Sequence, residues 1–476
     1  MPRERKLRGT PHLFSGRWNS MRRLAIFVAV LSLVFTACGG GDGGEPAKKE
    51  TPSGPVKITF WHSEPASAED NLVKLVDRFN ASQNEVKVEP IFQGNSTELT
   101  LKLIASMPSG NVPAVAYMSE VFAQAMIDSG EITPIQEYLD QEDYDLSDFA
   151  PASIAYYTVD NTLYSMPCGL AVPLMYYNKI PFREVGLDPE QPPKDLDEAQ
   201  AASEKLVQRD SAGNVTRYGL ALEIQPWFVR FMVAGAGEPY VNNDNGRAGF
   251  ATEVAFDNEA GRKFFQWWYD MVQDGLALNV GWDPTGANAL LAVGARKAVM
   301  VLSTSAALRS VMDVLEKGIE GVELGVAPVP GIPGRVPEGS PGVYGRSLWI
   351  MNARPEAERD AAWKFIRWFA EPEQQAEWFA GSGYLPVRNS AYDLPAAKDI
   401  IARYPQFQIP ADLFAKTATT TAALGALLGP FQQVEDSITD AIESMLSGAA
   451  SPDEAMAAAV KASNAAIKEY NDRLGR

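Results

Sequence analysis

Cysteine and histidine are scarce, with two of each in 476 residues. So few exclude a disulfide scaffold, a structural zinc ribbon and a multi-histidine metal centre. Positive charge is also short: 42 Lys and Arg stand against 60 Asp and Glu, a net charge of −18. That balance lacks the clustered cations that phosphate backbones require, and it excludes nucleic acid as a partner. No apolar run reaches the roughly 20 residues of a membrane-spanning helix. Nucleotide signatures are missing too. There is no phosphate-binding loop, and Gly235-Ala236-Gly237 runs into Glu238-Pro239, which forms no dinucleotide fingerprint. The Asn242–Gly246 turn puts Arg247 where a calcium loop requires glycine, so it reads as a hairpin turn. His62 is the one histidine beyond the N-terminal leader, and no Ser or Cys spacing builds a catalytic triad around it. It reads as a buried, structural histidine.

What is present is globular: 46% apolar and 21% charged residues, with 38 Gly and 33 Pro. The length suits two or three domains, each able to bury a core. The first 37 residues read as an export signal. Arg22 and Arg23 precede a 14-residue apolar run, Leu24 to Ala37, which suits a signal-peptide core. The run ends Thr36-Ala37-Cys38, followed by a Gly-rich stretch. Small residues before a cysteine resemble the bacterial lipobox, in which Cys38 would be acylated and become the first mature residue. Phe35 departs from the usual Leu of that motif, and Met21 is a plausible start. Residues 38–55 then read as a flexible tether. With Cys38 lipidated, Cys168 is the remaining thiol and no intrachain disulfide can form.

The body alternates strand and helix. Val56, Ile58 and Phe60 alternate with polar residues; Leu72, Leu75, Val76 and Phe79 mark a helical stripe; Val86 and Val88 resume period two. Strand, helix and strand in this order make a βαβ unit and imply a parallel sheet. Ligands of such sheets bind beyond the carboxyl ends of the strands. That rule brings Trp61-His62-Ser63, Gln93-Gly94-Asn95-Ser96 and Tyr117-Met118-Ser119-Glu120 to one rim. Extended segments follow at Leu163–Met166, Val172–Tyr177, Ala298–Ser303 and Tyr344–Met351. Ser451-Pro452-Asp453-Glu454 is a capping box that opens a last helix.

Aromatic residues are plentiful: 21 Phe, 16 Tyr and 10 Trp. Those at helical spacing, such as Trp363, Phe365, Trp368 and Phe369, read as core. Trp61, Trp227, Tyr344 and Tyr384 sit instead beside turns or strand ends, where a flat ring can stack on the C–H face of a sugar or polyol. Carboxylates are abundant but none is singled out by its spacing, so a surface glycoside hydrolase is the alternative reading.

Several segments resemble family 1 extracellular solute-binding proteins of ABC importers, and most closely the glycerol-3-phosphate and glycerophosphodiester branch. They are Ile58-Thr59-Phe60-Trp61-His62-Ser63, Tyr164-Ser165-Met166-Pro167, Tyr176-Tyr177-Asn178-Lys179, Gly186-Leu187-Asp188-Pro189, Ser347-Leu348-Trp349 and Gly383-Tyr384-Leu385-Pro386. The resemblance implies an α/β, two-lobed periplasmic-binding-protein-like fold of type II, with a ligand cleft between lobes that each carry a mixed sheet. Lobe exchanges are expected near residues 165–168, 299–303 and 344–348. This gives an N-lobe of 56–166 plus 302–344 and a C-lobe of 167–301 plus 345–476.

The same resemblance implies binding without chemistry, no cofactor, no metal and delivery of the solute to an ABC permease. The expected solute is a sugar, oligosaccharide, polyol or phosphorylated polyol. Location would be the outer face of the cell membrane, held by the lipid anchor alone. Carried over residue by residue, Glu120 is the expected acceptor for ligand hydroxyls, and Trp227 and Tyr384 are aromatic walls. Ser305 (or Thr304) and the Gly345 amide are polar contacts, Trp61 is a rim aromatic, and Ser96 stands where the branch has Tyr. Leu170 and Ala171 replace the branch's small hydroxyl residues. The branch's phosphate-binding Arg has no counterpart in Gly425-Ala426-Leu427-Leu428-Gly429-Pro430. Either Arg346 supplies that charge from another wall, or the solute is neutral.

Overall fold

The structure, a computed structural model, describes residues 54–476 except 65, 284, 285 and 343. The expected leader (1–37), Cys38 and most of the tether lie outside the described residues. The described residues belong to one compact unit.

Strand Val56–His62 alternates as its sequence requires, with Ile58, Phe60 and His62 buried. Helix Ala66–Ser82 returns the chain, burying Leu72, Leu75, Val76 and Phe79, and strand Val86–Phe92 then pairs parallel to the first. Strand Val115–Ser119 joins the other side, also parallel. Tyr344–Met351 closes on it antiparallel, flanked by Ile132–Thr133 and Met166–Ala171. The core of this first sheet holds Phe60, Tyr117 and Trp349, with Phe365 of helix Glu356–Phe369 5.3 Å from the Phe60 ring.

A second sheet runs Ala277–Asn279, Val215–Leu222, Ala298–Thr304, Pro173–Asn178 and Leu324–Pro328. Helix Glu259–Gln273 buries Phe264, Phe265, Trp267 and Trp268 on it. Helices Phe431–Leu446 and Pro452–Arg473 pack on that same side: Phe431 stacks on Tyr240, and Arg262 meets Asp453. The capping box at Ser451 and Glu454 forms as its sequence pattern predicts. The Asn242–Gly246 segment is a turn, closed by the Val241–Val254 bridge, with Asn243, Asp244 and Asn245 in left-handed backbone.

The expected exchange points are corrected by the strand pairing. Within 302–344, assigned above to the first lobe, strand Leu324–Pro328 pairs with Pro173–Asn178 in the second sheet. The end of Ala298–Thr304 does the same. Conversely, Tyr344–Met351 opens the span assigned to the second lobe, yet it pairs with Val115–Ser119 in the first sheet. Met166–Ala171 also stays with the first sheet, so the chain changes sheets at Val172 rather than at 165–168. The physical reason is that fully buried strands read as continuous apolar runs, and such a run carries no mark of which sheet it will join.

Candidate ligand-binding site

Where the two sheets meet, three carboxylates and two arginines lie together, Glu64, Glu120 and Arg230 buried and Arg346 and Glu435 partly so. Glu120 follows the first-sheet strand Val115–Ser119 and is 5% exposed. Its Oε2 accepts from the Ser119 hydroxyl at 2.8 Å and from the Gly345 amide at 3.2 Å. Its Oε1 accepts from Arg230 Nη1 at 3.2 Å, across from helix Trp227–Gly235. Arg230 Nη2 lies 3.5 Å from Oε1 of Glu435, on helix Phe431–Leu446. The guanidinium is also held between rings, 4.6 Å from Tyr344 and 5.0 Å from Phe431. Burial pushes the Glu435 carboxyl up to about 7 despite the Arg230 charge beside it.

Next to this group, Arg346 Nη1 donates to Ser96 Oγ at 2.8 Å, and Nε lies 3.5 Å from Oε1 of Glu64. Tyr384 donates its hydroxyl to the same Glu64 oxygen at 3.4 Å. Burial raises the Glu64 carboxyl above its usual range, and Arg346 opposes that rise. Tyr384 in turn stacks on Trp378, ring planes 6° apart at 5.8 Å. A bulge between Arg346 and Ser347 lets this strand follow both of its neighbours.

Of the residues expected from sequence, Ser96, Glu120, Gly345, Arg346 and Tyr384 therefore belong to one connected cluster. Trp227 reaches it indirectly: its ring lies 4.7 Å from Phe231, which meets Tyr344 edge-on at 3.9 Å. Ser305 has a backbone partner of its own. It is fully buried, and its hydroxyl accepts from the Val172 amide at 3.2 Å, so it ties down the point where the chain changes sheets. Trp61 is half-buried on its strand, in register with Ile91 and Ala116, and packs against the core. His62 is buried between Phe60 and Phe92, and burial lowers its imidazole to about 4, as a structural histidine requires. The cluster also contains Glu64, Arg230 and Glu435, which sequence reasoning missed. Arg230 had a signal: it is a lone charge in the otherwise apolar helix Trp-Phe-Val-Arg-Phe-Met-Val-Ala-Gly, and a buried arginine demands a partner.

A separate cavity of about 740 Å3 is lined by Pro151, Tyr392, Ile401, Gln408, Phe414 and Thr417, among others, and by none of the expected site residues. Among the described residues no group of His, Cys, Asp and Glu could hold a metal ion, and no helix is long and apolar enough to cross a membrane. One more buried carboxyl lies at the end of strand Val215–Leu222. Glu223 is pushed up to about 7 by burial and by Asp283 beside it. Its folded value lies above its unfolded one, so the folded protein holds the proton more tightly. Stability from this group is then full below about pH 4.5 and declines as pH rises through 7. Glu223→Gln should flatten the fall in stability between pH 4.5 and 8 by roughly 1–3 kcal/mol, leaving what Glu435 and Glu64 contribute. An unchanged slope would exclude Glu223 as its source.

The family model for bacterial extracellular solute-binding protein matches residues 74–409. The sn-glycerol-3-phosphate-binding periplasmic protein UgpB of Pectobacterium atrosepticum is 29% identical over 422 residues, covering 87% of this chain and 91% of that protein. UgpB of Yersinia pseudotuberculosis is 27% identical over 457 residues, covering 95% and 98%. Among solved structures, the cyclic alpha-maltosyl-1,6-maltose binding protein from Arthrobacter globiformis superposes with a TM-score of 0.70 at 26% identity, covering 87% of this chain and all of that one. UgpB from Mycobacterium tuberculosis, in complex with glycerophosphocholine, gives 0.72 at 20% identity over 88% and 99%.

Proposed function

The chain belongs to the bacterial extracellular solute-binding proteins, and from that premise we propose that it captures a small hydroxyl-rich solute between its two sheets and hands it to an ABC permease. The solute class is a sugar, an oligosaccharide or a glycerol-3-phosphate-like polyol. The observation that carries this reading is Glu120, a buried carboxylate at the junction of the two sheets, held by the Ser119 hydroxyl and Gly345 amide of one sheet and by Arg230 from beside the other. A carboxylate so oriented can accept from a ligand hydroxyl, and the amide and rings around it supply walls of the kind that polyol sites use. Proteins named for binding sn-glycerol-3-phosphate and cyclic alpha-maltosyl-1,6-maltose, to which this chain is similar, support the same class.

Binding rather than hydrolysis also fits the electrostatics. Glu64 and Glu120, the two carboxylates of the cluster on its first-sheet side, are each paired with an arginine and with further donors. A glycosidase pair instead needs one free acid and one free base or nucleophile facing the scissile bond. Glu120→Ala should weaken solute binding by about 1.5–3 kcal/mol, the range for a hydrogen bond to a charged group, measured by titration calorimetry. Equal affinity for variant and parent would remove Glu120 from the site.

The lipobox-like Thr36-Ala37-Cys38 supports an exported protein held at the membrane by an acylated Cys38. Cys38→Ser, expressed in a bacterial host that processes lipoproteins, should move the protein from the membrane to the soluble fraction. Retention in the membrane fraction would refute the anchor.

A further inference from the structure

Glu120 opens a continuous helical segment, a turn at Glu120–Phe122 followed by helix Ala123–Ser129, which joins two strands of the first sheet. Both ends of this segment reach across to the second-sheet side. At its start Glu120 meets Arg230, inside the site cluster. Near its end stands Asp128, whose side chain is 3% exposed. Its Oδ2 accepts from the Tyr470 hydroxyl at 2.9 Å. Its Oδ1 accepts from Arg476 Nη2 at 2.6 Å and, on its own helix, from Gln124 Nε2 at 2.9 Å.

The two distant donors are anchored on their own side. Tyr470, on helix Pro452–Arg473, lies so close to Gly429 that no Cβ fits between them. Arg476 follows that helix with its guanidinium 3.5 Å from the Phe250 ring, and Asn471 donates to the neighbouring Ala251 carbonyl at 2.9 Å. Burial and the Asp128 charge hold the Tyr470 phenol above its usual range, so it stays a donor. Hydrogen bonds to a buried carboxylate are stronger than neutral ones, and parting the two sides would break two of the three that Asp128 accepts. None of these bonds involves a residue of the site cluster.

We propose that Asp128, Tyr470 and Arg476 form a clasp outside the solute site, which holds the lobes together and must break whenever a solute enters or leaves. The inference rests on the solute-binding reading above and adds to it a gate indifferent to solute chemistry. A solute held between lobes is released only when they part, and opening steps of this kind set release rates. Losing a clasp bond lowers that barrier equally for every solute. Losing a residue that touches the solute changes it by an amount that depends on the solute.

The test is stopped-flow release of glycerol-3-phosphate, glycerophosphocholine and maltose, followed by tryptophan fluorescence, with small-angle scattering from the protein alone. Tyr470→Phe should speed release about tenfold, the worth of one hydrogen bond to a charged group. The factor should be the same for each solute that binds. Asp128→Asn should do at least as much, and adding Tyr470→Phe to it should change little, because both act through one carboxylate. Asp472→Asn, which breaks the Lys468–Asp472 pair within one helix, is the control and should leave release unchanged. Without solute, Asp128→Asn should show a larger radius of gyration than the parent at an unchanged far-ultraviolet dichroism spectrum. Release factors that differ between solutes, additive losses in the double variant, or an unchanged radius would each overturn the clasp. A parent that binds none of the three solutes contradicts the solute-binding reading, and the scattering comparison then decides the clasp by itself.

Discussion

Replacing Arg346 by alanine should cost about 3–5 kcal/mol of folding stability at neutral pH, the usual cost of removing one partner from a buried ion pair. Glu64 is 2% exposed, and its carboxylate depends on Arg346 and on hydroxyl donors such as Tyr384. Without the guanidinium, burial would drive the Glu64 carboxyl higher still, because Arg346 is the largest influence holding it down. The sign follows from linkage. A folded-state value above the unfolded one makes the penalty small below about pH 4.5 and larger as pH rises, since the folded chain must then either keep a proton or bury a bare charge. The deficit of Arg346→Ala against the parent should therefore shrink as pH falls from 7 towards 4.5. The double variant Glu64→Gln/Arg346→Ala should recover a large part of the loss. Denaturant unfolding at the two pH values measures both effects, and a pH-independent deficit would contradict the pairing.

The second large effect is expected at Gly345. A Cβ placed there would lie 2.4 Å from the Gly169 carbonyl oxygen and 2.8 Å from Leu170 Cδ2. The contact is with backbone of the neighbouring strand, where Gly345 pairs with Leu170 and Arg346 with Gly169, so no side chain can swing away to relieve it. Gly169 is itself closely covered, since a Cβ placed on it would meet Trp378 Nε1 at 2.7 Å and Tyr384 Cβ at 3.2 Å. Gly345→Ala should thus cost about 2–3 kcal/mol by overpacking and shift the amide that holds Glu120 Oε2. Affinity for the solute should drop at least tenfold, because a 1.4 kcal/mol change already corresponds to that factor. A variant that melts with the parent and binds as well would show that the strands are free to separate at this point.

Much of the first sheet was legible because Val56–His62, Val86–Phe92 and the intervening helix carry clean periods of 2 and 3.6. The rim at the strand ends followed from the parallel order and is where Ser96 and Glu120 stand. The lobe exchange was misread because Ala298–Thr304 and the second half of Tyr344–Met351 both read as apolar runs. Only their partners distinguish them. The backbone role of Ser305 was not legible because a hydroxyl beside a strand end can as well satisfy a crossing backbone as a ligand. Glu435 was illegible for another reason. It stands in an amphipathic helix among Gln432, Gln433 and Asp436, where sequence cannot tell one inward carboxylate from solvated neighbours. Arg230 was legible in principle, as the lone charge of an apolar helix, but its partner Glu120 lies far back in the chain, and neither residue announces the other.

The most direct measurement of the central claim, that a hydroxyl-bearing solute is held unchanged between the sheets at Glu120, is titration calorimetry of the parent and of Glu120→Gln in parallel. Glycerol-3-phosphate, glycerophosphocholine and a set of mono- and oligosaccharides serve as titrants, and the bound solute is recovered afterwards for mass analysis. The account predicts one solute per protein for at least one of these compounds, at least tenfold weaker binding by the variant, and recovery of the intact solute. Undiminished binding by Glu120→Gln, or recovery of a cleaved product, would contradict it.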